Sequence, residues 1–380
     1  MLKHASHDIS NSDISSVVKV LKSEFITQGP EINKLENKIS SFVKSKFSSV
    51  TNSSTSALFL ACLALGLKKN DIVWTSAITF VASSNCAIYC GAHVDLVDIS
   101  LDDYNIDVYK LEQKLIKTPK KKLPKILVVV HFAGNSCDMK KIYSLSKKYK
   151  FKIIEDACHA FGGFYENTKI GSCKYSDLST FSFHAIKNIS SGEGGAITTN
   201  KMYIKKKIDY LKSHGIQRKS KNVSWLYDQK YLGYNFRLTD FQSALANNQI
   251  NRIKKILKKK YELAKIYMRH LDRKVILVPK IEKNSGLHLF IIRIHNLSIK
   301  KKIKFTEILK KKYKIFVNFH YIPIYRHTYY KNKFNYNKKK FLRSELYYNT
   351  ALSLPFHTKL KKRDCIYISN CINSLAKDVN

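Results

Sequence analysis

The chain has 380 residues, 68 Lys plus Arg against 28 Asp plus Glu, a formal charge of +40, and is 44% hydrophobic and 12% aromatic. That apolar content excludes a disordered chain and suffices for one large core and one smaller one. No apolar run reaches membrane-spanning length and Met1–Asp8 holds no apolar signal stretch, so a cytoplasmic protein with no membrane partner is expected. The eight cysteines show neither C-x-x-C nor zinc spacing, which predicts reduced, partly buried thiols and no metal site. The lysine runs Lys120–Lys122, Lys258–Lys260, Lys300–Lys302 and Lys338–Lys340 are scattered over the whole chain. They read as solvated surface, with no nucleic-acid partner, although an acidic small substrate gains from their field.

In chain order, Ser56–Leu65 is apolar at helical spacing, with Ser54 or Thr55 available as N-cap. Asp71–Thr75 and Val94–Asp98 read as short strands, and Ile126–Val130 as a strand covered on both faces. A helix over Met139–Lys150 is followed by strands at Lys152–Glu155, Leu178–Phe183 and Ala196–Thr199. This alternation predicts an α/β fold, a mostly parallel sheet flanked by helices. Long amphipathic helices follow at Met202–His214 and Asp240–Arg269. Beyond residue 272, strands (Leu287–His295, Ile315–His320) mix with helices (Phe305–Lys312, Glu345–Ser353). The expected division is a large α/β domain over 1–250 and a small C-terminal α+β domain over 251–380, joined by a long helix.

Three stretches suggest chemistry. Ser179–Ile186 leads to a single lysine, Lys187, and then to the glycine-rich Gly192–Ala196. A lysine at the end of a buried strand can condense with a carbonyl cofactor. Ile153-Ile154-Glu155-Asp156 delivers carboxylates to a strand's C-terminal end, where open α/β sheets bind ligands, with His159 three residues on. Read locally, Asp156 is equally a helix cap and His159 a structural histidine. Asn52–Leu58 places hydroxyls before an apolar helix, which serves either an anion site or plain capping.

Eight stretches in order resemble the DegT/DnrJ/EryC1/StrS family of pyridoxal-phosphate (PLP) sugar aminotransferases. They include Phe25–Pro30, Thr79–Ser83, His131–Asn135, Glu155–His159, Ser182–Lys187, Ser213–Ile216, Gly233–Arg237 and Asn318–Tyr325, and the likeness extends over about residues 8–375. The resemblance implies the type I aminotransferase fold, PLP as cofactor and Lys187 as the catalytic, covalent lysine. Asp156 would hold the pyridine nitrogen, His159 would lie near the phenolic oxygen, and Phe80 would stack on the ring. Ser54, Thr55 and Ser182 would hold the phosphate, with Ser54 standing where relatives have glycine. Asn235 would reach the phosphate of a neighbouring subunit, which makes a homodimer with shared sites. Thr27, His184, Arg237, His320 and Tyr321 are the implied substrate-binding residues, Arg237 contacting a carboxylate or positioning its loop. Relatives that dehydrate sugars carry histidine at the lysine position, so Lys187 favours amination.

Within the family, His131–Gly134 with Cys137-Asp138, Ser182–Lys187 and His320–Tyr325 look most like members of the pseudaminic-acid pathway. These move an amino group from glutamate, leaving 2-oxoglutarate, to C4 of a UDP-linked 4-keto-6-deoxy-N-acetyl sugar. The alternatives are another UDP-, dTDP- or GDP-linked keto sugar, or a polyanion-binding or degenerate regulatory protein on the same fold.

Overall fold

The computed structural model describes residues 1–220, 222–223, 225–278 and 280–377. Its central sheet has seven strands: β1 (Phe47–Thr51), β2 (Ile72–Ser76), β3 (His93–Val97), β4 (Ile126–Val130), β5 (Lys152–Asp156), β6 (Leu178–Ser182) and β7 (Gly195–Thr199). Their order is β1-β7-β6-β5-β4-β2-β3, and β7 alone runs against the rest. Every residue of β4 and β6 is buried, as a sheet covered on both faces requires. Alternate residues serve opposite layers. Val73, Ile126, Val128 and Ile154 pack towards the helices Ser54–Ala64 and Met202–Lys212, while Trp74, Leu127, Val129 and Ile153 pack towards Val108–Lys117 and Met139–Tyr149.

A 31-residue helix, Asp240–His270, leaves this sheet and runs without a break past residue 250. Thr239 and Gln242 close its start in a reciprocal capping box. Ala246, Ile250 and Ile253 pack against the large core, while Leu263, Ala264 and Tyr267 join the C-terminal one. The C-terminal unit is built on a small antiparallel sheet, β8 (Ile276–Leu277), β9 (Ile291–Ile294) and β10 (Ala351–Ser353). The first residues belong to it as well. Leu2 donates to the Lys314 carbonyl at 2.9 Å, Phe316 donates to the Leu2 carbonyl at 2.9 Å, and the His4 carbonyl accepts from Phe356 at 3.1 Å. Among the described residues no helix is long and apolar enough to cross a membrane.

Five sequence expectations are corrected. The helix after β1 starts at Ser54 and is capped by Ser53, whose Oγ accepts from the Ser56 amide at 3.1 Å. The strand expected over Leu287–His295 is confined to β9, because the chain before it threads past another loop: Gly286 and His288 donate to the Gly134 and Ala133 carbonyls, both at 2.8 Å. Ile315–His320 makes only single bridges, Ile315 to Leu2 and Asn318 to Ser353. The expected helix Glu345–Ser353 ends at Thr350, after which Ala351 turns extended and enters β10. The lysine runs are not uniformly solvated either, since Lys260 and Lys302 are buried.

The turn after β1 depends on β7 lying close beneath it. A Cβ on Gly195 would meet Ser53 C and O at 2.6 Å and Ser54 N at 2.7 Å. All three atoms are backbone and cannot swing away. Gly195→Ala is therefore expected to destabilise the protein by about 1–3 kcal/mol, read as a lower denaturation midpoint. An unchanged midpoint would show that the turn can lift off the sheet at no cost.

Candidate active site

The C-terminal ends of the parallel strands open into a cleft of about 380 Å³. Ser54, Thr55, Phe80, Asp156, His159, Ser182, His184, Lys187, His320 and Tyr321 all line it, so residues far apart in sequence meet there. Three residues named from the sequence lie elsewhere on their own chain. Thr27 is exposed and bridged to Thr239, Asn235 is exposed and bridged to Ser213, and Arg237 donates to Ser213 Oγ at 3.1 Å.

Asp156 is the last residue of β5, and its side chain is buried. Oδ2 accepts from Ser83 Oγ at 2.6 Å, and Oδ1 accepts from the Cys158 amide at 3.2 Å. Ser83 in turn lies 2.7 Å from Thr79 Oγ1. The motif Thr79–Ser83 therefore contributes its two hydroxyls as well as Phe80. Their spacing of four residues, one helical turn, was the available signal. Phe80 is 53% exposed and its ring centroid lies 5.6 Å from that of Tyr321.

Lys187 follows β6 by five residues and makes no hydrogen bond through Nζ among the described residues. Burial pushes its ammonium below the ordinary lysine range, while Cys158 and Asp156 pull the other way. His159 Nδ1 accepts from the Ala133 amide at 3.3 Å, and Nε2 lies 3.1 Å from Tyr321 Oη. Behind it His288 is 4.5 Å away between ring centroids. Burial, then the positive charge of Lys187, holds both histidines well below the usual histidine range, so both are neutral imidazoles. His320, bonded to Ser353 Oγ at 2.8 Å, is lowered to about 3, and His4, 5.1 Å from it, to about 4, both chiefly by burial. At the mouth His184 Nε2 stands 3.7 Å from Glu193 Oε1, both side chains being largely exposed.

At the other end of the cleft the Ser53 cap uses the Ser56 amide, and its carbonyl takes the Ala57 amide at 3.1 Å. The amides of Ser54 and Thr55, in the first turn of the helix, have no intrahelical acceptor, and both residues line the cleft together with Ser182, as an anion site requires. A carboxylate, an unbonded lysine and a hydroxyl-lined helix end fit PLP: Asp156 for the ring nitrogen, Lys187 for the aldehyde carbon, Ser54, Thr55 and Ser182 for the phosphate. Sequence reading missed Ser53, Thr79, Ser83 and a second buried lysine, Lys260. Helical phase marked Lys260, four residues after Ile256 and three before Leu263, both buried.

A sequence profile of the DegT/DnrJ/EryC1/StrS aminotransferase family matches residues 7–373. A Campylobacter jejuni protein named UDP-4-amino-4,6-dideoxy-N-acetyl-beta-L-altrosamine transaminase is 36% identical over 100% of this chain and 98% of its own. The structure of Helicobacter pylori PseC, an aminotransferase of pseudaminic acid biosynthesis, is 30% identical, covers 99% of each chain and superposes with a TM-score of 0.91. Spr1654 of Streptococcus pneumoniae in its PMP form is 26% identical, covers 100% of each chain and gives 0.94.

The neutral histidines have a consequence for stability. An unfolded histidine titrates near 6.5, whereas these remain uncharged in the folded protein well below that. The unfolded chain therefore binds more protons, and stability present above about pH 6.5 is lost as the pH falls towards the folded values. His320→Gln should flatten the fall in unfolding free energy between pH 6 and 4 by about 1.4 kcal/mol per pH unit. Chemical denaturation at stepped pH measures this, and an unchanged slope would mean that folded His320 is charged.

Proposed function

The chain belongs to the DegT/DnrJ/EryC1/StrS aminotransferase family and uses PLP; from that premise we propose that it moves the amino group of L-glutamate to C4 of a UDP-linked 4-keto-6-deoxy-N-acetylhexosamine. The observation that carries the reading is the meeting of Lys187 and Asp156 in one cleft at the strand ends. The Campylobacter relative, matched along its whole length, supports the choice of sugar.

PLP, when bound, supplies an electron sink for the carbon that loses its proton. Lys187 is its covalent anchor and the base that takes and returns that proton at Nζ. Burial favours this role by holding Nζ towards the free amine. Asp156 keeps a proton on the ring nitrogen, and Ser83 fixes the orientation of its carboxylate. Ser54, Thr55 and Ser182 bind the phosphate. Buried His159 and half-buried Tyr321, bonded to each other, form a wall that limits water on the far side. His184 and Glu193 stand where the sugar enters, and His320 and Tyr321 face it from the C-terminal unit. Asn235 and Arg237, outside their own cleft, serve the cleft of a second copy in a homodimer. Thr27, bridged beside them to Thr239, meets the sugar of that neighbouring site.

Lys187→Ala should lower kcat by at least roughly 10³-fold, measured by coupled 2-oxoglutarate release. A mutant as fast as the wild type would remove Lys187 from the chemistry. For the sugar, a panel of UDP-, dTDP- and GDP-linked 4-keto sugars is incubated with glutamate and the products are weighed. The UDP-linked N-acetyl compound should turn over best, and preference for a dTDP or GDP acceptor would overturn that assignment. For the shared site, Lys187→Ala and Asn235→Ala, each inactive alone, should regain about a quarter of wild-type activity when subunits are exchanged at equal amounts. No recovery would place Asn235 outside the partner's site.

A further inference from the structure

Lys260 is 4% exposed, in the middle of the long helix, and points inward beneath the turn that carries Lys187. Nζ donates to Asn188 Oδ1 at 2.7 Å and reaches the His288 carbonyl at 3.5 Å. The ring of Phe356 lies 5.5 Å away. Asn188 follows Lys187 directly, and its amide donates to the Gly286 carbonyl. One side chain thus ties the helix, the lysine turn and the 285–288 segment together.

The ionisable groups around Lys260 are all potential cations: Lys187 from the turn, His159 and His288 from the cleft wall, and His357 from the C-terminal unit. Among the described residues no carboxylate pairs with it. The other buried lysine, Lys302, is accommodated differently, by the Tyr348 and Ala351 carbonyls and the Phe319 ring at 3.8 Å. Burying an ammonium beside another without a counter-ion is costly, and a Met or Leu would fill the space more cheaply. Burial first, then repulsion from Lys187, brings Lys260 down to about 7.

We propose that Lys260 is a positioning residue for Lys187: through its hydrogen bond to Asn188 it fixes the turn that presents Lys187 to the cleft. This rests on Lys187 being the reactive lysine. The two ideas separate cleanly, because borohydride reduction of the PLP-loaded protein followed by peptide mapping identifies the anchored lysine, whatever Lys260 does.

The test is competitive acetylation of the cofactor-free full chain with acetic anhydride from pH 6 to 10, with Lys187 read by peptide mass spectrometry. Lys260→Met removes both charge and hydrogen bond, whereas Lys260→Gln keeps a donor for Asn188 and removes only the charge. In Lys260→Met the released turn should make Lys187 acetylate roughly tenfold faster at every pH and weaken the absorbance band of added PLP, and Lys260→Gln should restore both. A folded Lys260→Met protein with wild-type Lys187 acetylation and an unchanged PLP band would overturn the proposal. So would failure of both to fold, which would assign Lys260 to packing alone.

Discussion

A buried carboxylate without a bonded cation governs this site. Asp156 ends the strand at the centre of the sheet, and among the described residues its oxygens have only a serine hydroxyl and one amide as donors. Such a group is costly to bury unless positive charge stands near. Strand order makes that possible. β6 lies directly beside β5, so the turn that follows it returns Lys187 towards the same strand end. The hydroxyls of Thr79 and Ser83 come from beyond β2, two strands away on the other side. Each contributes only because the parallel strands all finish at one edge.

Around that carboxylate, burial weakens the charged forms of the neighbouring bases. His159, His288, His320, Lys187 and Lys260 are all displaced towards the neutral base, and burial is the largest cause for each. The formal charge of +40 therefore describes the surface and not the cleft. Outside, the scattered lysines favour the approach of acidic solutes. Inside, burial disfavours the ammonium form of the same residue type.

Much of this was legible in the sequence because it is local. Ile126–Val130 announces itself as a doubly covered strand and occupies those very residues. Lys187, Asp156 and Ser182 sit in motifs that resemble the family's, and all three line the cleft. Long-range partners were not legible. Ser83 reaches Asp156 across 73 residues; its spacing from Thr79 pairs the two hydroxyls but does not point to that carboxylate. Lys260 is disguised by Lys258 and Lys259, and only its phase with Ile256 and Leu263 separates it from a solvated run. In the C-terminal unit, tertiary pairing overrides local preference: Leu346–Ser353 begins as helix and finishes as a strand against β9.

The long helix has one more implication. Its cap region is held by the Asp240 carboxylate, which accepts the Gly29 amide at 2.6 Å and the Glu31 amide at 2.9 Å. Its middle delivers Lys260 to the lysine turn. Between these two anchors the helix is a ruler with fixed phase. One residue inserted or deleted there would rotate everything beyond it by about 100° and swing Lys260 out of the core. Point substitutions on its solvent side leave that registry intact. Over evolutionary time the length of this segment should drift far less than its composition, which makes its residue count a better marker of a working site than its identity.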